Sequence, residues 1–327
     1  MTSLADGDAS DDLGPHFSWE VVASGDEGPG PRSRHVMVSD RAGGAILLFG
    51  GLVCPGGWGH STSARMLGDT WVFRNDGWSP VATPRHPSAR HRSTMVYDDS
   101  RGCAILFGGQ NQSGLLLSDT WIYGGGTWVP RPLWPWKRPP GRCAHAMAYD
   151  EASGSVVLFG GIGGRNQALG DTWLFDGERW TKVRGPGPQP RRFASMTFDP
   201  HLGGCLLHGG AKDDMGHHRF GDSWLFRDGS WSPLPEEFAT EPRDDHGLAY
   251  HRAAGAIVML EGTGGRDGSL CLTTKGWRSV ATSPEGPRHQ CAPIAWDESL
   301  GGLVAHGGET GQGGSHFDTT RVLRWNV

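Results

Sequence analysis

Ser155-Val156-Val157-Leu158-Phe159-Gly160-Gly161, followed by Asp171-Thr172-Trp173 and then by Trp180, is the stretch that decides the fold. Five residues suffice for a buried strand and are too few for a helix. The glycine pair removes Cβ atoms where the chain must bend sharply and pack closely. Asp171–Phe175 and Trp180–Val183 then read as two more short strands. Arg142–Asp150, which precedes the quoted stretch, supplies an inner strand before a turn at 151–154. Four antiparallel strands in about 45 residues form one unit.

The unit returns six times. Glycine pairs stand at Gly50/Gly51, Gly108/Gly109, Gly160/Gly161, Gly209/Gly210 and Gly307/Gly308, with Glu261/Gly262 in the fifth place. The spacings are 58, 52, 49, 52 and 46 residues. Asp69-Thr70-Trp71, Asp119-Thr120-Trp121, Asp171-Thr172-Trp173 and Asp222-Ser223-Trp224 keep the same rhythm, followed by Trp78, Trp128, Trp180 and Trp231. Such an array resembles the kelch β-propellers, in which each repeat is a four-stranded blade. The fold expected is all-β: a six-bladed propeller.

The sixth repeat reaches Asp318-Thr319-Thr320 and stops at Val327, before a fourth strand. Trp19-Glu20-Val21-Val22 reads like Trp180-Thr181-Lys182-Val183 and would complete that blade. Closing the ring across the termini protects the sheet edges. Residues 1–15 are expected as a flexible tail. Residues 16–327 form one propeller, with blades at about 32–82, 90–130, 142–184, 191–235, 243–281 and 288–327 plus 16–22.

A formal charge of −5 argues against a general nucleic-acid binder. No apolar run is long enough to span a bilayer and no secretory leader is read, so a cytoplasmic protein without membrane partner is expected. Six scattered cysteines lack metal or disulfide spacing and are expected as free thiols, with Cys103 and Cys205 at equivalent strand starts. The repeated tryptophans, and Tyr97, Tyr149, Phe198, Tyr250 and Trp296 in one slot before the first turn, are read as core. His35, His145 and His246 share another slot and are read as structural, bonding backbone between blades.

The kelch resemblance implies a ligand site at one mouth of the central channel, built from inner-strand starts and from loops after the glycine pairs. Carried over by position, the substrate-binding candidates are Ser33, Arg34, Arg92, Arg192, Phe193 and Gln290 on the strands, and Gln110, Asn111, Arg165 and Glu309 on the loops. These positions do not repeat, so the fold does not dictate them. Arg243-Asp244-Asp245-His246 alone begins an inner strand with paired carboxylates, which push one pKa upward and yield an acid and a base. Asp244 and Asp245, with His91 outside the repeated histidine slot, are the catalytic candidates. Trp134 and Trp136, on the proline-rich connection 129–141, are expected to form an apolar lid.

Asp213, His217 and His218 are weak metal candidates. The resemblance to plant nitrile-specifier proteins, also kelch propellers, implies a Glu/Asp/His iron site in this loop, but Gly209 stands where the glutamate belongs. No cofactor is expected. The first functional expectation is an acid–base lyase, cyclase or isomerase acting on a small organic molecule. An interaction module gripping an acidic protein or peptide is the second, and a metal-dependent lyase the third.

Overall fold

A computed structural model describes residues 16–24, 27–54, 64–75, 77–213, 217–265, 268–283, 291–309 and 316–326. The chain forms six sheets around a channel. Blade one is β2 (Val36–Asp40), β3 (Ala45–Val53), β4 (Arg65–Arg74) and β5 (Gly77–Pro80). Blade two is β6 (Thr94–Asp98), β7 (Cys103–Phe107), β8 (Thr120–Gly124) and β9 (Thr127–Arg131). Blades three, four and five repeat this order from β10 (Ala146–Asp150), β14 (Ser195–Asp199) and β18 (Gly247–His251).

The sixth blade confirms the closure read from the sequence. β23 (Ile294–Asp297), β24 (Gly302–His306) and β25 (Thr320–Asn326) are joined by β1 (His16–Ala23), with Trp19 opposite Leu323. A short β22 (Ala281–Ser283) adds a parallel fifth strand outside β1.

The fourth-strand tryptophans of blades one to four each latch their blade to the one before. Trp128 Nε1 donates to Thr70 Oγ1 at 2.9 Å, Trp180 to Thr120 at 3.0 Å, Trp231 to Thr172 at 2.9 Å and Trp78 to Thr320 at 2.7 Å. Buried indole N–H groups need an acceptor, and the Asp-Thr-Trp threonine supplies it.

A second periodic device went unread in the sequence. Arg32, Arg90, Arg142 and Arg191 are each at most 1% exposed. They bind Asp69, Asp119, Asp171 and Asp222 through two nitrogens each and donate to a carbonyl of the glycine pair. The same aspartates accept from Trp71, Trp121, Trp173 and Trp224. In blade five Gly268 holds the aspartate's place, and Arg243 donates to its carbonyl instead. The glycine pairs are dictated by close approach: a Cβ on Gly51, at φ +106°, would lie 2.7 Å from the Cβ of His35.

Two details differ from the sequence reading. Cys103 pairs with Asp98 across its hairpin, whereas Cys205 pairs with Phe198, so the two are one residue out of register. Successive strand residues face opposite ways, which leaves Cys103 half-buried and Cys205 buried. His145 and His246 bond no backbone; neither imidazole has a hydrogen-bond partner among the described residues. They pack edge-on against Phe107 and His208 of the preceding blade, filling the gap beside Gly108 and Gly209. All six cysteines are free thiols.

Candidate functional site

The start of each inner strand carries two side chains in two layers. Ser33, His91, Cys143, Arg192 and Asp244 come first; all are buried and form β-bridges to the loops after the glycine pairs. Arg34, Arg92, Ala144, Phe193, Asp245 and Cys291 come next; all are half-buried with φ between 52° and 57°. That conformation is uncommon outside glycine. A ring of backbone hydrogen bonds enforces it, running from Arg34 N to Cys291 O, Arg92 N to Arg34 O, Ala144 N to Arg92 O, Phe193 N to Ala144 O and Asp245 N to Phe193 O, at 2.8–3.1 Å. The six residues make a neck around the channel and line a cavity of about 240 Å³ beneath it.

The outer layer ties blades together through side chains. Glu309, 4% exposed, accepts from Ser33 Oγ and from Arg34, both at 3.2 Å, and from the Cys291 thiol at 3.6 Å. His316 Nε2 lies 3.0 Å from Ser33 Oγ. Asp244 pairs with Arg219 at 3.2 Å. Arg192 donates to the carbonyl of Asn166 at 3.0 Å. His91 meets the Gln110 amide at 3.2 Å, and Gln110 in turn donates to Gly114.

In the inner layer, the Arg92 guanidinium lies 4.9 Å from the centroid of Phe193, reaching from blade two to blade four across the neck. No carboxylate stands within ion-pair distance of it among the described residues, and its buried Nε has no hydrogen-bond partner. Burial and the neighbouring Arg34 hold its pKa below the ordinary arginine value.

Burial, then Asp245, push the Asp244 carboxyl up to about 6 against the pull of Arg219. Burial, then Arg92, push His91 down to about 3, so its imidazole is neutral near pH 7. Burial works to lower Arg34, and Cys291, Asp245 and Glu309 outweigh it. Burial, then Asp245, raise the Cys291 thiol well above its usual range. The site therefore holds one carboxyl, Asp244, raised to about 6 in the outer layer, and one half-buried cation, Arg92, without an ion-pair partner among the described residues, in the inner layer.

The structure brings Arg34, Arg92, Phe193 and Asp245 together at the neck, with Ser33, His91, Gln110, Arg192, Asp244 and Glu309 in the layer around it. Asn111 folds its own loop by accepting from Ser113 and Leu115. Arg165 is exposed at φ 60° on the mouth side. Trp134 and Trp136 stack at 5.1 Å and stand 64% and 73% exposed, away from the cavity lining. Gln290 lies outside the described residues.

In the metal loop, Asp213 accepts from the His217 amide and from His218 Nδ1 at 2.8 Å. No cluster of three or more metal-binding side chains occurs among the described residues. His208 and His306 are engaged as latches, meeting Ser223 and Thr240, and Thr320 and the Gly30 carbonyl. Sequence reasoning missed Arg219 and His316 as members of the site, whereas Cys291 follows from its inner-strand position, one residue before the repeated histidine slot.

No family model matches the chain. Among curated proteins it is similar to an F-box/kelch-repeat protein of Arabidopsis thaliana, 29% identical over 237 residues, which is 64% of this chain and 45% of the relative. It is also similar to tRNA wybutosine-synthesizing protein 4 of Emericella nidulans, 29% identical over 43% of this chain and 13% of that one. The chain spans less than half the length of either. Its fold matches the solved structure of YjhT with a TM-score of 0.65 at 14% identity, covering 90% of this chain and 95% of the other.

The chain is a six-bladed β-propeller.

Within the propeller, the periodic Arg–Asp–Trp and Trp–Thr contacts carry the fold, and the side chains that do not repeat gather at the neck. No described helix is long and apolar enough to cross a membrane.

Proposed function

We propose that the neck binds a small organic anion and transforms it by acid–base chemistry, as a lyase, cyclase or isomerase. Arg92 carries this reading: a half-buried guanidinium on the cavity wall, with no ion-pair partner among the described residues and a buried Nε without a hydrogen bond, gains most when a ligand supplies the anion. Arg34, one ring position away, adds a second cation for a carboxylate or enolate oxygen. Asp245 in the cavity wall, or Asp244 with its pKa near 6, takes a proton from carbon. The electron pair released moves onto the substrate oxygen facing Arg92, and return of the proton completes an isomerisation. His91, being neutral, serves as a hydrogen-bonding partner.

A second reading, an interaction module for an acidic peptide, rests on exposed Arg165 at the rim and on the F-box/kelch-repeat relative. The test is a panel of small hydroxy, oxo and sugar acids incubated in deuterium oxide and followed by proton NMR. Deuterium incorporation or conversion, abolished by Asp245→Asn or Asp244→Asn, supports the enzyme. An acidic peptide bound by the wild type and lost in Arg165→Ala, with no conversion of any acid, favours the module.

A further inference from the structure

The channel has a second compartment beyond the neck. Met37, Met95, Met147, Met196, Leu248 and Ile294, one per blade, border both cavities and form an apolar waist between them. The distal cavity measures about 400 Å³, larger than the first. Two residues beyond the waist, five blades place an aromatic side chain in the wall: Tyr97, Tyr149, Phe198, Tyr250 and Trp296. The sequence reading of this slot as core is half of the account, because the same rings also face a lumen. Two of the tyrosines are tied at their polar ends to turns of the preceding blade, Tyr97 Oη accepting from Ala42 N at 2.9 Å and Tyr250 Oη meeting His201 at 3.2 Å. The rings therefore lie along the channel wall.

Charge at this mouth is net negative, although Arg41 and Arg252 stand with Asp99 and Glu151 in the cavity wall. The turns that end the inner strands, 40–44, 98–102, 150–154, 199–203, 251–255 and 297–301, hold eight Asp or Glu residues against three Arg. Asp150, Asp199 and Asp297 are held in place by backbone amides and serine hydroxyls of their own turns rather than by guanidiniums. Arg41 bridges the rim, 2.5 Å from Asp99 and 3.6 Å from Glu151. One cation thus shares two carboxylates of two neighbouring blades. Blade one alone replaces the aromatic residue by a small one, Ser39, and so leaves room beside Arg41.

We propose that this distal compartment is a binding site for a small organic cation of the quaternary-ammonium class. Aromatic walls attract such cations through the negative faces of their rings, and a carboxylate-rich rim adds to the attraction. The site is independent of the anion-binding neck, which lies at the opposite end of the channel.

Calorimetric titration with choline, and with 3,3-dimethylbutanol as its uncharged carbon isostere, tests the proposal. Choline is expected to bind once per chain, about tenfold tighter than the isostere. Glu151→Gln should weaken choline several-fold, whereas Arg41→Gln, which frees two carboxylates, should tighten it. Arg92→Gln at the neck should leave choline binding unchanged. No saturable binding by 10 mM choline (about −2.7 kcal/mol on the affinity scale), equal binding of the isostere, or sensitivity to Arg92 but not to Glu151 and Arg41, would overturn it. Thermal unfolding of each variant, all on side chains at the rim or neck, separates lost binding from lost fold.

Discussion

The guanidinium of Arg92 sits 4.9 Å from the ring centroid of Phe193, two blades away, and spans the neck of the channel. A cation on an aromatic face gains about 0.5–2 kcal/mol, less than a buried hydrogen-bonded ion pair returns. The arrangement is one from which an incoming anion can draw the arginine. Arg92→Gln is therefore expected to leave the unfolding midpoint unchanged or slightly raised while removing anion binding. Thermal melts with and without a bound carboxylate check both halves.

The tryptophan latches should carry stability and no function. Trp128 is 1% exposed and donates to Thr70. Trp128→Phe removes that bond and opens a small cavity, at a cost of about 2–3 kcal/mol in denaturant unfolding. Activity per folded molecule should be unaltered.

Breaking one Arg–Asp pair should be worse than losing a latch. Arg142 is fully buried and bound to Asp171 by two nitrogens. Asp171→Asn leaves a buried guanidinium short of its counter-charge and should cost about 3–5 kcal/mol. Blade five tolerates Gly268 at this place because Arg243 reaches a carbonyl there. Comparing Asp171→Asn with Gly268→Ala by chemical denaturation tests the distinction, since the second change touches no ion pair.

Acid should weaken the propeller from just below neutrality. Burial lowers the pKa of His145 and His208 to about 3, and that of His246 well below its usual value. A histidine with a depressed folded pKa takes up its proton on unfolding, so its stabilising effect is whole above about 6.5 and is lost as pH falls from there toward 3. Asp244, raised to about 6, works the other way, favouring the folded state as pH falls from about 6 to 3.8. With several histidines against one carboxyl, the net slope should be a loss. Denaturant midpoints at pH 7.5, 6 and 4.5 should fall steadily, and His145→Gln should flatten the decline.

Blade number, strand order and ring closure were readable because glycine pairs and Asp-Thr-Trp triplets are local and periodic. Trp19 could be matched to Trp180 by eye. The Arg142–Asp171 pair was not read, although Arg32, Arg90, Arg142, Arg191 and Arg243 recur as faithfully as the tryptophans. The partners lie 29 residues apart, and nothing local marks the arginine as buried rather than solvated. The left-handed ring from Arg34 to Cys291 has no local signal at all, because hydrogen bonds between blades impose it on arginine, alanine, phenylalanine, aspartate and cysteine alike. Asp244 and Asp245 were found by their adjacency. The lumen face of Tyr97 and Trp296 was hidden because a residue between two blades can pack against both the core and the channel.

Equilibrium titration of the purified propeller with a series of small carboxylic acids, run side by side on wild type and Arg92→Gln, is the most direct test of the neck as an anion site. The account predicts one saturable site per chain in the wild type, with affinity reduced at least about tenfold in the variant, the loss of one charge-assisted contact. Carboxylates that bind both proteins equally, or that bind neither, would contradict it.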